Sequence, residues 1–140
     1  FSKAIEGALM FALNQGEICT TPSRILVHES IADKFIERML ERIKKIKVGN
    51  PLDPETMIGS QVSKGQMEKI LGYINIGKEE GAEVLSGGEA GNHVGDTANG
   101  YYIQPTILKG NNKMRVFQEE IFEVILFYLF SKILQTAEIF

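Results

Sequence analysis

The sequence predicts an α/β fold in which a parallel or mixed β-sheet is flanked by helices. Short apolar runs alternate along the chain with longer segments whose apolar side chains recur at helical spacing. Two such segments, residues 31–46 and 67–74, each carry a continuous apolar stripe with charges opposite. The length of 140 residues is that of one domain.

The first third of the chain is predicted to form a helix, a loop and a strand. Residues 2–13 mix small and apolar positions, which suits a buried helix. Residues 14–23 are a loop, because Gly16 allows a sharp turn and Pro22 stops any regular helix. Residues 24–28 follow as a short buried strand.

Each of the two later helices begins with a serine that has the pattern of an N-cap. Ser30 has Asp33 three residues on as a reciprocal partner, and Ser63 has Gln66. The second of these helices is predicted to end near Gly81. The apolar stripes, predicted to face the core, are Ile31, Phe35, Ile36, Met39, Leu40, Ile43 and Ile46, and Met67, Ile70, Leu71 and Ile74.

Strand and loop signals alternate after the second stripe. Residues 83–85 are a predicted strand, and residues 86–100 are a surface loop rich in Gly, Asn and Asp. The glycine pair at 87–88 marks a turn rather than a phosphate-binding loop, because neither known glycine pattern is present. Residues 101–108 are extended, and Pro105 favours an edge or an irregularity.

Composition excludes several classes of partner. With 15 basic and 18 acidic residues, the chain lacks the field that nucleic-acid or membrane-surface proteins use. The longest apolar run, residues 124–130, is much shorter than the roughly 20 residues of a membrane helix. We therefore expect neither nucleic acid nor membrane as a partner. No metal site is expected, because His28 and His93 lie far apart and are interpreted as surface residues.

Cys19 is the candidate catalytic residue. A thiolate is a strong nucleophile, and a loop on a rigid scaffold is where chemistry is often placed. A lone cysteine is also compatible with an inert buried filler, and only its loop context favours chemistry. A thiol-redox role fits poorly because no second cysteine is present. A single cysteine forms no internal disulfide, which fits a reducing compartment, and no signal segment opens the chain, so a cytoplasmic location is expected.

Four motifs in register resemble the aldehyde dehydrogenase superfamily. Residues 14–19 (NQGEIC) are similar to its active-site cysteine segment, and residues 47–53 (KVGNPLD) to the turn after the next helix. Residues 100–106 (GYYIQPT) and 118–122 (QEEIF) are similar to a strand and to the segment that reaches the cofactor. The resemblance implies part of that family's three-layer catalytic domain, with a parallel or mixed sheet flanked by helices.

The resemblance also implies a reaction. Cys19 matches the nucleophile that forms a thiohemiacetal and then a thioester from an aldehyde, with NAD or NADP as cofactor. Glu120 matches the glutamate that binds the nicotinamide ribose, and Phe122 matches an aromatic residue near the cofactor. Without the motif, Glu119 and Glu120 would be interpreted as a solvated acidic pair. The resemblance further implies a homodimeric or homotetrameric parent protein.

Two departures from the family qualify this interpretation. The family's general-base glutamate and its cofactor domain lie before Phe1, so the chain is expected to be an inactive fragment on its own. The first interpretation is that the chain is part of an enzyme, an NAD(P)-dependent aldehyde dehydrogenase. The alternative is a catalytically inactive truncated fragment with at most a subunit-interaction role. The resemblance stops after Phe122, which divides the chain into a partial catalytic domain (residues 1–122) and a divergent apolar tail (residues 123–140). The tail is expected to lack a partner strand, and a shifted reading frame, a read-through intron or a wrong gene boundary would each account for it.

Overall fold

A mixed four-stranded sheet organises the described residues, which in this computed structural model are 1–91, 97–122 and 124–131. The predicted α/β class with a parallel or mixed sheet is confirmed. In the order β1-β4-β3-β2, β4 runs parallel to both of its neighbours, and β2 is antiparallel to β3. The strands are β1 (Arg24–His28), β2 (Glu83–Ser86), β3 (Thr106–Lys109) and β4 (Ile125–Ser131).

Helices pack against this sheet. They are α1 (Ser2–Ala8), α2 (Glu29–Ile43), α3 (Lys64–Glu79) and the single turn α4 (Arg115–Gln118), with a 3-10 segment over Leu9–Gly16. The single helix predicted over residues 2–13 is therefore wrong, because the α-helix ends at Ala8. The tighter 3-10 winding continues with Phe11 fully buried, and Leu13 then leaves helical geometry at ψ 141°.

The start of α2 differs from the sequence prediction. His28, not Ser30, is the N-cap, and its Nδ1 accepts a hydrogen bond from the Ser30 N–H at 3.2 Å. An imidazole nitrogen can serve as the acceptor that a serine oxygen usually provides, so α2 begins as soon as β1 ends. Ile31 is 44% exposed, whereas the rest of the α2 stripe is buried or half-buried. His28 is itself half-buried, and His93 lies outside the described residues.

The prediction for α3 is confirmed. Ser63 is the N-cap, and its Oγ accepts from the Gln66 N–H at 3.1 Å. Ile70 and Ile74 are buried, and Met67 and Leu71 pack against the core. The helix ends just before Gly81, which has the left-handed φ of +89° that glycine tolerates best.

The turn at Gly87 and Gly88 is also confirmed, since both have positive φ. A Cβ on Gly87 would lie 2.5 Å from the Pro105 carbonyl oxygen, so the close approach of the two backbones requires glycine there. Pro105 directly precedes β3, which is paired with β2 on one side and with β4 on the other. The predicted irregularity lies in the β2–β3 pairing, where the register shifts between Val84 and Ser86. Residues 92–96 of the predicted loop lie outside the described part of the chain.

The apolar run after Phe122 has two partner strands, so the expectation of an unpaired tail is wrong. β4 lies between β1 and β3, and Leu126, Phe127 and Tyr128 are each at most 2% exposed. A parallel strand that is covered on both faces reads as a continuous apolar run rather than as an alternating one. The absence of alternation therefore indicated burial. The division of the chain at residue 122 stays a prediction.

The core lies between the helices and the two faces of the sheet. Tyr128 joins the layers, since its hydroxyl donates to the Ala32 carbonyl oxygen of α2 at 3.2 Å. Burial raises the pKa of the Tyr128 phenol, which keeps it neutral. No helix in the described ranges is long and apolar enough to cross a membrane.

Candidate active site

Cys19 lies on an exposed loop that follows a strained turn. Asn14, Gln15 and Gly16 have consecutive positive φ values of 47°, 58° and 75°. Only glycine adopts this region freely, so the two non-glycine residues are held there against a local cost. The predicted sharp turn at Gly16 is confirmed. The thiol of Cys19 is exposed.

Contacts to residues 60–62 hold this turn in place. The Gln15 side-chain amide donates to the Ser60 carbonyl at 3.3 Å, and the Gln61 amide donates to the Gln15 carbonyl at 3.3 Å. The Val62 N–H donates to a Glu17 carboxylate oxygen at 3.3 Å. Because these bonds come from a segment more than 40 residues away in sequence, the tertiary fold stabilises the conformation of the cysteine loop.

The structure brings the sequence-predicted site residues together. Cys19, Glu120 and Phe122 line one small cavity of about 50 Å³. The residues that line the cavity come from the cysteine loop, from the segment that follows α4, and from β4. Its other lining residues are Gly16, Ile18, Thr21, Ser23, Glu119, Ile121, Ile125 and Phe127.

The two adjacent glutamates have different environments. The Glu119 carboxylate accepts from Arg115 Nε at 2.7 Å and from the Tyr73 hydroxyl at 2.6 Å. These two hydrogen bonds, the arginine's first, lower the pKa of the Glu119 carboxyl, and the bond to Glu119 raises the pKa of Tyr73. Glu120 is exposed, and its carboxylate has no hydrogen-bond or ion-pair partner in the described part of the chain. The Glu119 carboxylate therefore serves the fold through its hydrogen bonds, and the Glu120 carboxylate is available to accept hydrogen bonds from a ligand.

Phe122 ends this segment in a strained conformation. Its φ is 62°, which is an outlier for a bulky residue, and its side chain is 45% exposed. Two side chains of α3 hold the backbone here. Gln66 Nε2 donates to the Phe122 carbonyl at 3.0 Å, and Lys69 Nζ donates to the Ile121 carbonyl at 2.9 Å.

Arg24 holds the same segment from the other side. Its Nε donates to the Phe117 carbonyl at 2.7 Å, and its Nη2 donates to the Glu119 carbonyl at 3.2 Å. Its Nη1 donates to Ser23 Oγ at 3.1 Å, at the end of the cysteine loop.

Sequence reasoning missed these supporting residues. A charged residue that opens an otherwise apolar strand was the available signal for Arg24. The spacing of Gln66, Lys69 and Tyr73 by three and four residues, which places them on one face of α3, was the signal for the others.

Comparison with known proteins decides the family. The sequence profile of the aldehyde dehydrogenase family matches residues 1–137 of the 140. The chain belongs to the aldehyde dehydrogenase family. An aldehyde dehydrogenase of Rhodospirillum rubrum is 64% identical over 122 residues, which are 87% of this chain and 24% of that protein. Aldehyde dehydrogenase B of Escherichia coli is 55% identical over 137 residues, 98% of this chain and 27% of that protein.

A solved structure supports the same assignment of fold. Betaine aldehyde dehydrogenase of Staphylococcus aureus, crystallised in complex with NAD⁺, is 34% identical and superimposes with a TM-score of 0.88. The match covers 94% of this chain and 26% of that protein. The chain therefore spans about a quarter of the length of the relatives that it matches.

Proposed function

We propose that this chain carries the nucleophile and part of the cofactor-facing surface of an enzyme that oxidises an aldehyde to a carboxylic acid with NAD or NADP. One observation carries the proposal: Cys19, Glu120 and Phe122 line the same cavity in a member of the aldehyde dehydrogenase family. The substrate is a small-molecule aldehyde. We propose likewise that the whole enzyme acts as a homodimer or homotetramer in the cytoplasm.

Cys19 supplies the covalent chemistry in this proposal. Its thiolate adds to the carbonyl carbon and gives a thiohemiacetal, whose oxygen carries the developing negative charge. The Cys19 N–H has no acceptor among the described residues, so it is available as one donor to that oxygen. Departure of hydride from the carbon leaves a thioester. Water then displaces the sulfur, which releases the acid and regenerates the thiol.

Glu120 and Phe122 suit a cofactor-binding role. A carboxylate can accept hydrogen bonds from two neighbouring hydroxyls, as a ribose offers, and that of Glu120 is exposed and uncommitted among the described residues. The exposed ring of Phe122 offers a flat apolar surface beside it. When bound, the nicotinamide ring would accept the hydride. The NAD⁺ complex of the Staphylococcus aureus relative supports this class of cofactor.

The described residues do not complete the site. Glu119, the other carboxylate that lines the cavity, is paired with Arg115 and is a poor general base. The Gly87–Gly88 pair serves a backbone turn and is no dinucleotide loop. We therefore propose that the general base and the cofactor domain belong to sequence that the relatives have beyond the quarter matched here, and that these 140 residues alone do not oxidise aldehydes.

A chimera tests the proposal. Residues 1–122 of this chain replace the corresponding segment of the Rhodospirillum rubrum relative, and aldehyde-dependent reduction of NAD⁺ or NADP⁺ is followed. We expect turnover with an aldehyde panel. The variant Cys19→Ser should lose several orders of magnitude in kcat and keep its affinity for cofactor, because a hydroxyl is far less ionised than a thiol.

Thr20→Ser is the matched control, since it alters an exposed neighbour in the same loop and keeps the thiol. It should leave turnover close to that of the unsubstituted chimera. A Cys19→Ser variant that kept a tenth or more of the turnover would contradict the covalent mechanism. A well-folded chimera without any aldehyde oxidation would contradict the proposed function.

A further inference from the structure

We propose that Arg24 is a positioning residue that fixes the Glu120 segment relative to the Cys19 loop. The proposal rests on the proposed function and adds a residue to which no role has been given. The observation behind it is that the Arg24 guanidinium donates hydrogen bonds to the Phe117 and Glu119 carbonyls and also to Ser23 Oγ. The two segments that line the cavity therefore meet at this one side chain.

The backbone of Arg24 is held in place by the sheet. The residue opens β1 and is paired with Phe127 in the neighbouring strand β4. The Ser23 carbonyl accepts from the Phe127 N–H at 2.8 Å, and the guanidinium lies 6.0 Å from the centre of the Phe127 ring. Because Arg24 is anchored through this pairing to the inner strand β4, the position of its guanidinium follows the geometry of the sheet.

Of the two carbonyls that Arg24 binds, that of Glu119 lies directly before Glu120, and that of Phe117 lies two residues earlier. Glu119 leaves α4 in an extended conformation, with φ −97° and ψ 149°, so the helix no longer fixes the backbone at this point. The bond from Arg24 to the Glu119 carbonyl holds the peptide that joins Glu119 to Glu120. The direction in which the Glu120 side chain leaves the backbone depends on that peptide.

The chemistry of the side chain fits this task. The guanidinium is planar and offers five donors in a fixed fork, so a single arginine serves several acceptors at once. A lysine is a single mobile charge and cannot reproduce that fork. Among the described residues, the hydrogen bonds of the Arg24 guanidinium go to carbonyls and a hydroxyl and not to a carboxylate, so they fix backbone geometry and leave the Glu120 carboxylate free for a ligand.

The test compares Arg24→Ala and Arg24→Lys in the chimera described above. We expect kcat to fall by about 10- to 100-fold in Arg24→Ala, since small misplacements of reacting groups have effects of this size. KM for the cofactor should rise, while the alkylation rate of Cys19 stays within about twofold because the thiol is intact. The kcat and the cofactor KM of Arg24→Lys should lie between those of the unsubstituted chimera and those of Arg24→Ala. Added guanidinium should restore part of the turnover of Arg24→Ala.

Arg42→Ala is the matched control. The Arg42 guanidinium likewise donates hydrogen bonds, in its case two, to the two oxygens of Glu6 at 2.8 and 2.9 Å, but it does not line the cavity that contains Cys19. It should leave kcat and the cofactor KM unchanged. Unchanged kinetics in Arg24→Ala, or a loss that guanidinium does not restore and that leaves the cofactor KM constant, would overturn the proposal.

Hydrogen exchange separates this proposal from the proposed function. If the unsubstituted chimera folds but does not oxidise aldehydes, the proposed function fails, and amide exchange of residues 118–122 then decides the role of Arg24. Faster exchange of these amides in Arg24→Ala than in Arg42→Ala supports the clamp, and equal exchange overturns it. If Arg24→Ala does not fold, the same comparison is made with Arg24→Lys.

Discussion

Truncation of Phe127 should destabilise the chain strongly. Phe127 lies on the inner strand β4, is 2% exposed, and packs on Phe117 with ring centroids 5.0 Å apart. Replacing a buried phenylalanine by alanine costs about 3–5 kcal/mol through lost transfer energy and the cavity left behind. The tilted ring pair accounts for about 0.5–1.5 kcal/mol of this. Since domains are stable by only about 5–15 kcal/mol, Phe127→Ala should remove a large share of the free energy of unfolding.

The assay is urea unfolding of the full chain, followed by circular dichroism, with Phe122→Ala as the control. Phe122 lines the same cavity and loses the same atoms, but its side chain is 45% exposed. Its substitution should change stability by about 0.5 kcal/mol. If Phe127→Ala costs no more than Phe122→Ala, then β4 is not an inner strand of the sheet, and the expectation of an unpaired tail regains support.

The remaining predictions concern the site. Glu120→Gln in the chimera should weaken cofactor binding by about 1–2 kcal/mol, the gap between charged and neutral hydrogen bonds, and leave thermal stability unchanged. If Glu120→Gln leaves cofactor titrations unaltered, then Glu120 is a solvated surface acid that does not bind the cofactor. Glu119→Gln should instead leave cofactor binding unchanged and lower the stability of the fold. Because Glu119 has a lowered pKa in the fold, its stabilisation is present above the pKa of the unfolded carboxyl and is lost as pH falls through the lowered value. The difference in urea midpoint between Glu119→Gln and the parent should therefore be present at neutral pH and vanish in acid, and a constant difference would refute the assignment. Cys19 should react with iodoacetamide faster than a model thiol of pKa about 8.5 in the active chimera, and an equal rate across pH would argue against an activated nucleophile.

Local signals predicted the elements whose structure depends on nearby residues. The α3 cap at Ser63 and its apolar stripe follow from spacing within a few residues, so the sequence was sufficient for both. The predicted cap of α2 was wrong because β1 ends at His28, whose Nδ1 accepts from the Ser30 N–H and so starts the helix before Ser30. The helix over residues 2–13 was wrong at its end, since packing of Phe11 and the loop that follows decided the winding.

The place of β4 was beyond local signals. An apolar run without alternation is compatible with an unpaired tail or with a strand that is covered on both faces. Pairing with β1 and β3, which lie about 100 and 20 residues earlier in the chain, distinguishes the two, and those contacts form only in the folded chain.

The sequence by itself determined the family and the candidate site residues, because motifs such as NQGEIC and QEEIF are contiguous in the chain. Only the tertiary structure decided how the residues of the site differ. The motif assigns a role to Glu120 only by resemblance, whereas the pairing of Glu119 with Tyr73 and Arg115 is the physical difference between the two carboxylates. The physical reason is that a carboxylate's role depends on the donors within hydrogen-bond distance, and Tyr73 comes from a helix 46 residues away.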